Sequence, residues 1–288
     1  MFQKLFQKTI AFIYKTLGAT ASSKLVASTL GKLLFKVIFK GKGKRIYTTN
    51  HGIQLELDPS ESMYSGIGLL GTYNPFETHI LEIILRSGDI VIDVGAFIGW
   101  YSLLAGKLVG NKGRVFSFEP SHIHFQELTN NIVGNKLHNI KTFNVAVSNK
   151  NDKVSFWEAG RGSSLIEKEA EIHNSFIKEP IQVTTVTLND FIEREKIQHI
   201  DFIKIDAEGW DLQILKGATN ILKKKDAPDI MVEVIDEELK RVGFSADELI
   251  RYMESFGYTP YTFTGNGLRI YKKQDTRTPN LLFRKKLK

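Results

Sequence analysis

The strongest constraint on this chain is a succession of short, almost wholly apolar runs, each followed by a helical pattern. Residues 90–94, 114–119, 140–147, 202–206 and 230–234 read as strands. Residues 99–108, 121–133, 210–222 and 246–256 read as helices, with Ser121 placed to cap the second and Leu212, Leu215, Ala218 and Leu222 facing inward on the third. Strands that are apolar throughout and alternate with helices form a parallel sheet covered on both faces. Residues 154–157 and 183–186 add two extended segments, and 258–263 with 268–271 read as a closing antiparallel pair around Gly265-Asn266-Gly267. Ahead of the first strand, 46–57 alternates around His51-Gly52 as a small hairpin. Residues 75–86 then read as a helix that buries Phe76, Ile80, Leu81, Ile83, Ile84 and Leu85.

Such sheets bind ligands beyond the carboxyl ends of their strands. The first strand ends in Asp93-Val94-Gly95-Ala96-Phe97-Ile98-Gly99. A dinucleotide fingerprint would place glycines at 93, 95 and 98, but Asp93 and Ile98 stand at two of those positions. A carboxylate is wrong for a pyrophosphate and right for a ligand carrying cations. S-adenosylmethionine (SAM) has a sulfonium, an ammonium and no phosphate. The second strand ends at Glu119, where a carboxylate can accept both ribose hydroxyls.

The run Ile203-Lys204-Ile205-Asp206-Ala207-Glu208-Gly209 puts two more carboxylates at a strand end predicted to lie beside the first strand. Asp206 and Glu208 can orient a substrate hydroxyl, act as general base or bind a divalent cation; Asp206 can equally cap the next helix. Glu233 is a third candidate at the following strand. Gly160-Arg161-Gly162-Ser163-Ser164 lies in a loop that can cover the site, with Ser164 as a substrate contact. His122 and His124 open a helix and are expected to be exposed. No histidine pair has the helical spacing of metal ligands.

Charge separates the function classes. Residues 1–45 hold nine Lys, one Arg and no acid, residues 269–288 hold eight bases and one acid, and residues 46–268 hold 21 bases and 31 acids. An acidic body disfavours a nucleic-acid substrate. Phe2, Leu5, Phe6, Ile10, Ile13, Tyr14 and Leu17 form an apolar helical stripe opposite lysines, and 24–40 repeats the pattern. Neither stretch is a membrane span or a convincing signal peptide. The extension suits an anionic membrane surface, or docking on a protein surface. The chain has no cysteine, which excludes thiolate chemistry and disulfides.

Ile92-Asp93-Val94-Gly95-Ala96-Phe97-Ile98-Gly99-Trp100-Tyr101-Ser102, Phe118-Glu119-Pro120, Ile203 to Gly209 and Leu215-Lys216-Gly217-Ala218 together resemble the FkbM family of SAM-dependent methyltransferases. The resemblance implies an α/β, Rossmann-like class I methyltransferase fold, with a seven-stranded, mostly parallel sheet and a reversed last strand. It implies O-methylation of a hydroxyl on a sugar, glycan or related small-molecule or lipid-linked acceptor. By the same resemblance Asp93, Gly95, Ala96, Phe97 and Gly99 line SAM, Glu119 binds its ribose, Asn144 and Ala146 lie near adenine, and Asp206 with Glu208 form the acidic pair. The expected organisation is a basic extension (1–45), a hairpin and lead-in (46–74), the methyltransferase domain (75–273) and a basic tail (274–288). The expected location is cytoplasmic, peripheral on the inner face of the membrane. The rival reading is an inactive scaffold of the same fold.

Overall fold

The computed structural model describes residues 43–58, 67, 71–158, 165, 179–264, 267–273 and 280–285. The amphipathic stripes, Ser164 and the glycine-rich loop around it lie outside these residues. The chain divides into two compact units, one of Met1–Ile84 with Asn130–Leu137 and one of Leu85–Thr129 with His138–Lys288.

In the first unit, β1 (Arg45–Thr48) and β2 (Gln54–Leu57) form the expected hairpin. Alternation works as the sequence implies: Leu55 and Leu57 are buried while Gln54 and Glu56 are exposed. Asparagines serve the outer edge of β2. Asn135 accepts from Gln54 N at 2.8 Å and donates back to its carbonyl at 2.6 Å, and Asn131 accepts from Glu56 N at 2.9 Å. The helix α1 (Pro75–Ile84) buries Ile80 and Leu81, with Leu85 just beyond it. Ile83, expected inside, is exposed, because it falls off the stripe that Ile80 and Leu81 define. The helix falls in the same compact unit as the hairpin.

In the second unit the chain runs β3 (Ile90–Val94), α2 (Trp100–Val109), β4 (Arg114–Phe118), α3 (His122–Gly134) and β5 (Ile140–Phe143). It continues through β6 (Ala146–Val147), β7 (Asp152–Phe156), β8 (Ile181–Val186) and α4 (Leu188–Arg194). Then come β9 (Phe202–Ile205), α5 (Asp211–Lys216), α6 (Thr219–Lys223), β10 (Asp229–Glu233), α7 (Asp236–Arg241) and α8 (Ala246–Ser255). The final elements are β11 (Tyr258–Thr264), β12 (Gly267–Ile270) and β13 (Asn280–Lys285).

The main sheet has the order β12-β11-β13-β10-β9-β3-β4-β5. Its five strands from β10 to β5 are parallel, and the other three run antiparallel to their neighbours. This is the Rossmann-like methyltransferase architecture, with eight strands among the described residues rather than seven. The order reverses direction at β3 and β9, which makes the carboxyl ends of those two strands the switch point where a crevice opens.

The extra strand is β13. Residues 280–285, expected within a basic tail, bury Asn280, Leu281, Leu282 and Phe283 between β10 and β11. The three apolar residues were too few to stand out among flanking bases. The predicted strand 140–147 is two strands. β5 ends at Phe143, Asn144 Nδ2 donates to the carbonyls of Glu119 and Pro120 at 2.8 and 3.0 Å, and β6 pairs with β8 in a separate three-stranded sheet. The predicted helix 210–222 is also two pieces. The Gly217 carbonyl accepts from Asn189 N at 3.1 Å, and the helix breaks there. The short α4 and α7 were not foreseen. Thr187 caps α4 by accepting from Asp190 N at 3.0 Å, a Thr-x-x-Asp signal legible in the sequence.

The core holds Ile92, Phe116, Phe118, Ile203, Leu212 and Leu215. Phe191 of α4 meets Phe118 edge-on at 4.7 Å, so the unforeseen helix closes a face of the sheet.

Candidate active site

The candidate carboxylates Glu119, Asp206, Glu208 and Glu233 sit at or just past strand ends. After β3 the chain turns through Gly95, which has φ 76°. A Cβ there would overlap the carbonyl oxygen of Asp206, and Asp206 N donates to the Val94 carbonyl at 3.1 Å. Only glycine lets the first loop lie against the β9 exit. The amides of Gly95 and Ala96 both donate to Phe118 O at 3.0 Å, which ties the loop to the end of β4. Gly99, at φ 97°, packs on Leu128 and opens α2.

Glu119 completes this bracket. Its Oε2 accepts from Phe97 N at 2.8 Å and its Oε1 from Ser121 N at 2.9 Å. The side chain is 5% exposed. Burial pushes its pKa up to about 7, against the pull of the two backbone donors. Phe97 holds φ 51°, a strained value for an aromatic residue, and its ring meets that of His124 at 4.2 Å. His124 is therefore buried, contrary to expectation, while His122 is exposed. The hydroxyl of Ser121 caps α3 by accepting from His124 N at 3.3 Å. Glu158, which sequence reasoning missed, reaches the same helix start and accepts from Ser121 Oγ at 2.9 Å and His122 N at 2.8 Å.

Asp93 is not at the surface of the crevice. It is 1% exposed, and its Oδ2 accepts from Ser102 Oγ at 2.6 Å, with Ser117 Oγ a further 2.7 Å beyond. The cation near it is internal: Lys204 Nζ lies 4.0 Å from Asp93 Oδ1. Oδ1 itself has no hydrogen-bond partner. The Asn144 amide holds the Glu119-Pro120 backbone. Ala146 turns away, into the small core with Phe156 and Val183.

On the other flank, the β9 exit gathers carboxylates. Asp206 Oδ2 accepts from Lys204 Nζ at 2.9 Å. Asp206 does not cap the next helix. No side chain caps it: Asp211, its first residue, instead ties the preceding turn by accepting from Ala207 N and Gly209 N at 3.2 Å each, and burial lifts its pKa to about 7. Glu208 occupies φ 50°, and Gly209 beside it lies against the Glu238 backbone. Glu233 ends β10; burial, then repulsion from Asp206, Glu238, Asp211 and Glu208, raises its pKa well above the usual carboxylate range. Burial also raises Glu238 of α7 to about 7. The structure thus brings together Asp206, Glu208 and Glu233 as expected, and adds Asp211 and Glu238. Among the described residues no group of three or more acids and histidines has a geometry that could hold a metal ion.

The profile of the methyltransferase FkbM domain matches residues 93–260, which span β3 to β11 and every strand end just described. The chain belongs to the FkbM methyltransferase family. Two curated relatives share 24% identity with it. One is the hexuronic acid methyltransferase AglP of Haloferax volcanii, aligned over 51% of this chain and 58% of its own length. The other is the 31-O-demethyl-FK506 methyltransferase FkbM of Streptomyces tacrolimicus, aligned over 61% and 74%. The alignment thus spans little more than half the length of the first. The chain is also similar to the crystal structure of an FkbM methyltransferase from Methylobacillus flagellatus. That likeness has 18% identity and a TM-score of 0.45, covering 90% of this chain and 60% of the other. No helix among the described residues is long and apolar enough to cross a membrane.

Proposed function

We propose that this FkbM-family methyltransferase transfers a methyl group from SAM to a hydroxyl oxygen of a sugar, glycan or related small-molecule or lipid-linked acceptor. The observation that carries the reading is the bracket between the Gly95 loop and Glu119, closed by the Phe97 N to Glu119 Oε2 bond at 2.8 Å. It sets a carboxylate and a glycine turn side by side at the switch point of the sheet.

The donor set fits the cofactor. Carboxylates end β4 and β10 and follow β9, and no phosphate-binding glycine triplet is present in the β3 turn. Such a crevice suits a cationic nucleoside without phosphates. SAM, when bound, supplies a sulfonium methyl for an oxygen nucleophile. Gly95, Ala96, Phe97 and Gly99 form the turn against which it would lie, and Glu119 would take the ribose hydroxyls. Each Glu119 oxygen already accepts one backbone bond and keeps a lone pair for a hydroxyl. Asn144 holds the Glu119 backbone in place. Asp206 or Glu208 would orient the acceptor hydroxyl and receive its proton, with Glu233 and Ser164 contacting the acceptor. Most of the rate enhancement in such a site comes from positioning.

The sugar preference is drawn from AglP, whose name specifies a hexuronic acid. The ten bases of residues 1–45 would hold the enzyme at an anionic membrane surface on the cytoplasmic side. Sedimentation with anionic vesicles tests this; equal binding after deletion of 1–45 would refute it.

Calorimetric titration with SAM, with NAD as control, tests the cofactor. Saturable SAM binding that Glu119→Ala weakens at least about tenfold supports the reading. A folded sample that binds no SAM would overturn it.

A further inference from the structure

Lys204 is the least expected residue of the site. It lies inside β9, whose four residues Phe202, Ile203, Lys204 and Ile205 are all buried, and it is 2% exposed. A buried ammonium is expensive to desolvate, and an ion pair there stabilises no better than an apolar pair of similar shape. Its surroundings are specific. Nζ donates to Asp206 Oδ2 at 2.9 Å, stands 4.0 Å from Asp93 Oδ1, and lies 4.6 Å from the centre of the Tyr101 ring. Asp93 and Lys204 are cross-strand partners on β3 and β9, so the pleat sets them side by side on one face. Asp93 is held in turn by Ser102 and, through it, Ser117. Burial works against the charge on Lys204, but Asp206 and Asp93 outweigh it and hold its pKa above the usual lysine value.

We propose that Lys204 is a positioning residue: anchored from below by Asp93, it aims the Asp206 carboxylate into the crevice beside Glu208, Asp211, Glu233 and Glu238. The relation is directional. Asp93 is wholly inside, whereas Asp206 has 31% of its side chain exposed. Lys204 therefore links a buried carboxylate under the Gly95 loop to one that faces an acceptor. Repulsion from the four other acids would otherwise turn Asp206 outward. The inference rests on reading this crevice as the methyl-transfer site.

The test uses lysine labelled with nitrogen-15 in the full chain. A buried, hydrogen-bonded ammonium exchanges slowly, so Lys204 gives a resolved signal, assigned by its loss in the Asp93→Asn/Lys204→Met variant. That double change removes both buried charges, so neither is left unpaired. Asp206→Asn is expected to displace the signal. Saturating S-adenosylhomocysteine is expected to shift it in the wild type but not in Asp206→Asn, which a purely structural ion pair would not do. If the double variant does not fold, the wild type and Asp206→Asn still decide the matter. A signal unmoved by Asp206→Asn, or unmoved by S-adenosylhomocysteine that binds calorimetrically, overturns the proposal. Failure of the wild type to bind that product counts against the methyl-transfer reading, while the Asp206→Asn displacement is read independently of it.

Discussion

Gly95 and the carbonyl oxygen of Asp206 are in direct contact, with no room between them for a single methyl group. The first loop and the β9 exit are thereby one structure. Gly95→Ala adds a clash with backbone, which no rotamer relieves, at a φ of 76° that already disfavours alanine. The expected cost is about 3 kcal/mol or more of unfolding free energy. Urea denaturation measures it, and SAM affinity should fall with it.

Asp93 tests whether the cofactor's positive charge is met directly. Its carboxylate is enclosed by Ser102 and Lys204. Asp93→Asn is therefore expected to change the affinities for SAM and for S-adenosylhomocysteine by the same factor, within about threefold. Calorimetry with both ligands checks this. Selective loss of the charged one would place Asp93 against the sulfonium.

Glu208 combines strain with a candidate role. At φ 50° a glycine is at ease and an alanine is not. Glu208→Gly should be more stable than Glu208→Ala by about 1 kcal/mol. Both should lose methyl transfer if the carboxylate handles the acceptor proton. Equal stability of the two variants would mean that the turn relaxes.

Stability should fall on the alkaline side. Glu119 and Asp211 have folded pKa values raised by burial to about 7, from 4.5 and 3.8. Groups raised in this way contribute fully below their unfolded pKa, and the contribution is lost as pH rises through about 7. The melting temperature without ligand should thus drop by roughly 5 °C or more from about pH 5.5 to about pH 8. SAM affinity should move the other way, since a cation prefers the ionised carboxylates. Scanning calorimetry at several pH values reads the first, and isothermal titration the second.

The strand-helix alternation, the switch point and the acids at the strand ends were legible because each rests on local pattern: apolar runs, glycines and carboxylates at run ends. What escaped was set by tertiary partners. Lys204 had no assigned role, because only the register places it beside Asp93. Asp206 caps no helix, and the amides of the turn after it bond to Asp211 instead, a tie that only the folded turn reveals. Ala146 pairs in a second sheet, since the strand of the main sheet ends at Phe143, a break that the apolar run 140–147 did not mark. Glu238 reached the acidic group only through α7, whose short pattern gave no signal.

Strand β13 is the last of the described strands yet occupies an interior slot, between β10 and β11. Its pairing joins residues far apart, Glu233 with Asn280, whereas β11 and β12 can pair as a local hairpin. Loop closure makes such distant pairings slow. Until β13 is in place the β10 edge is open, and an open edge can pair with another copy. Slower synthesis, colder growth or a chaperone that shields β10 should raise the yield of correctly assembled enzyme.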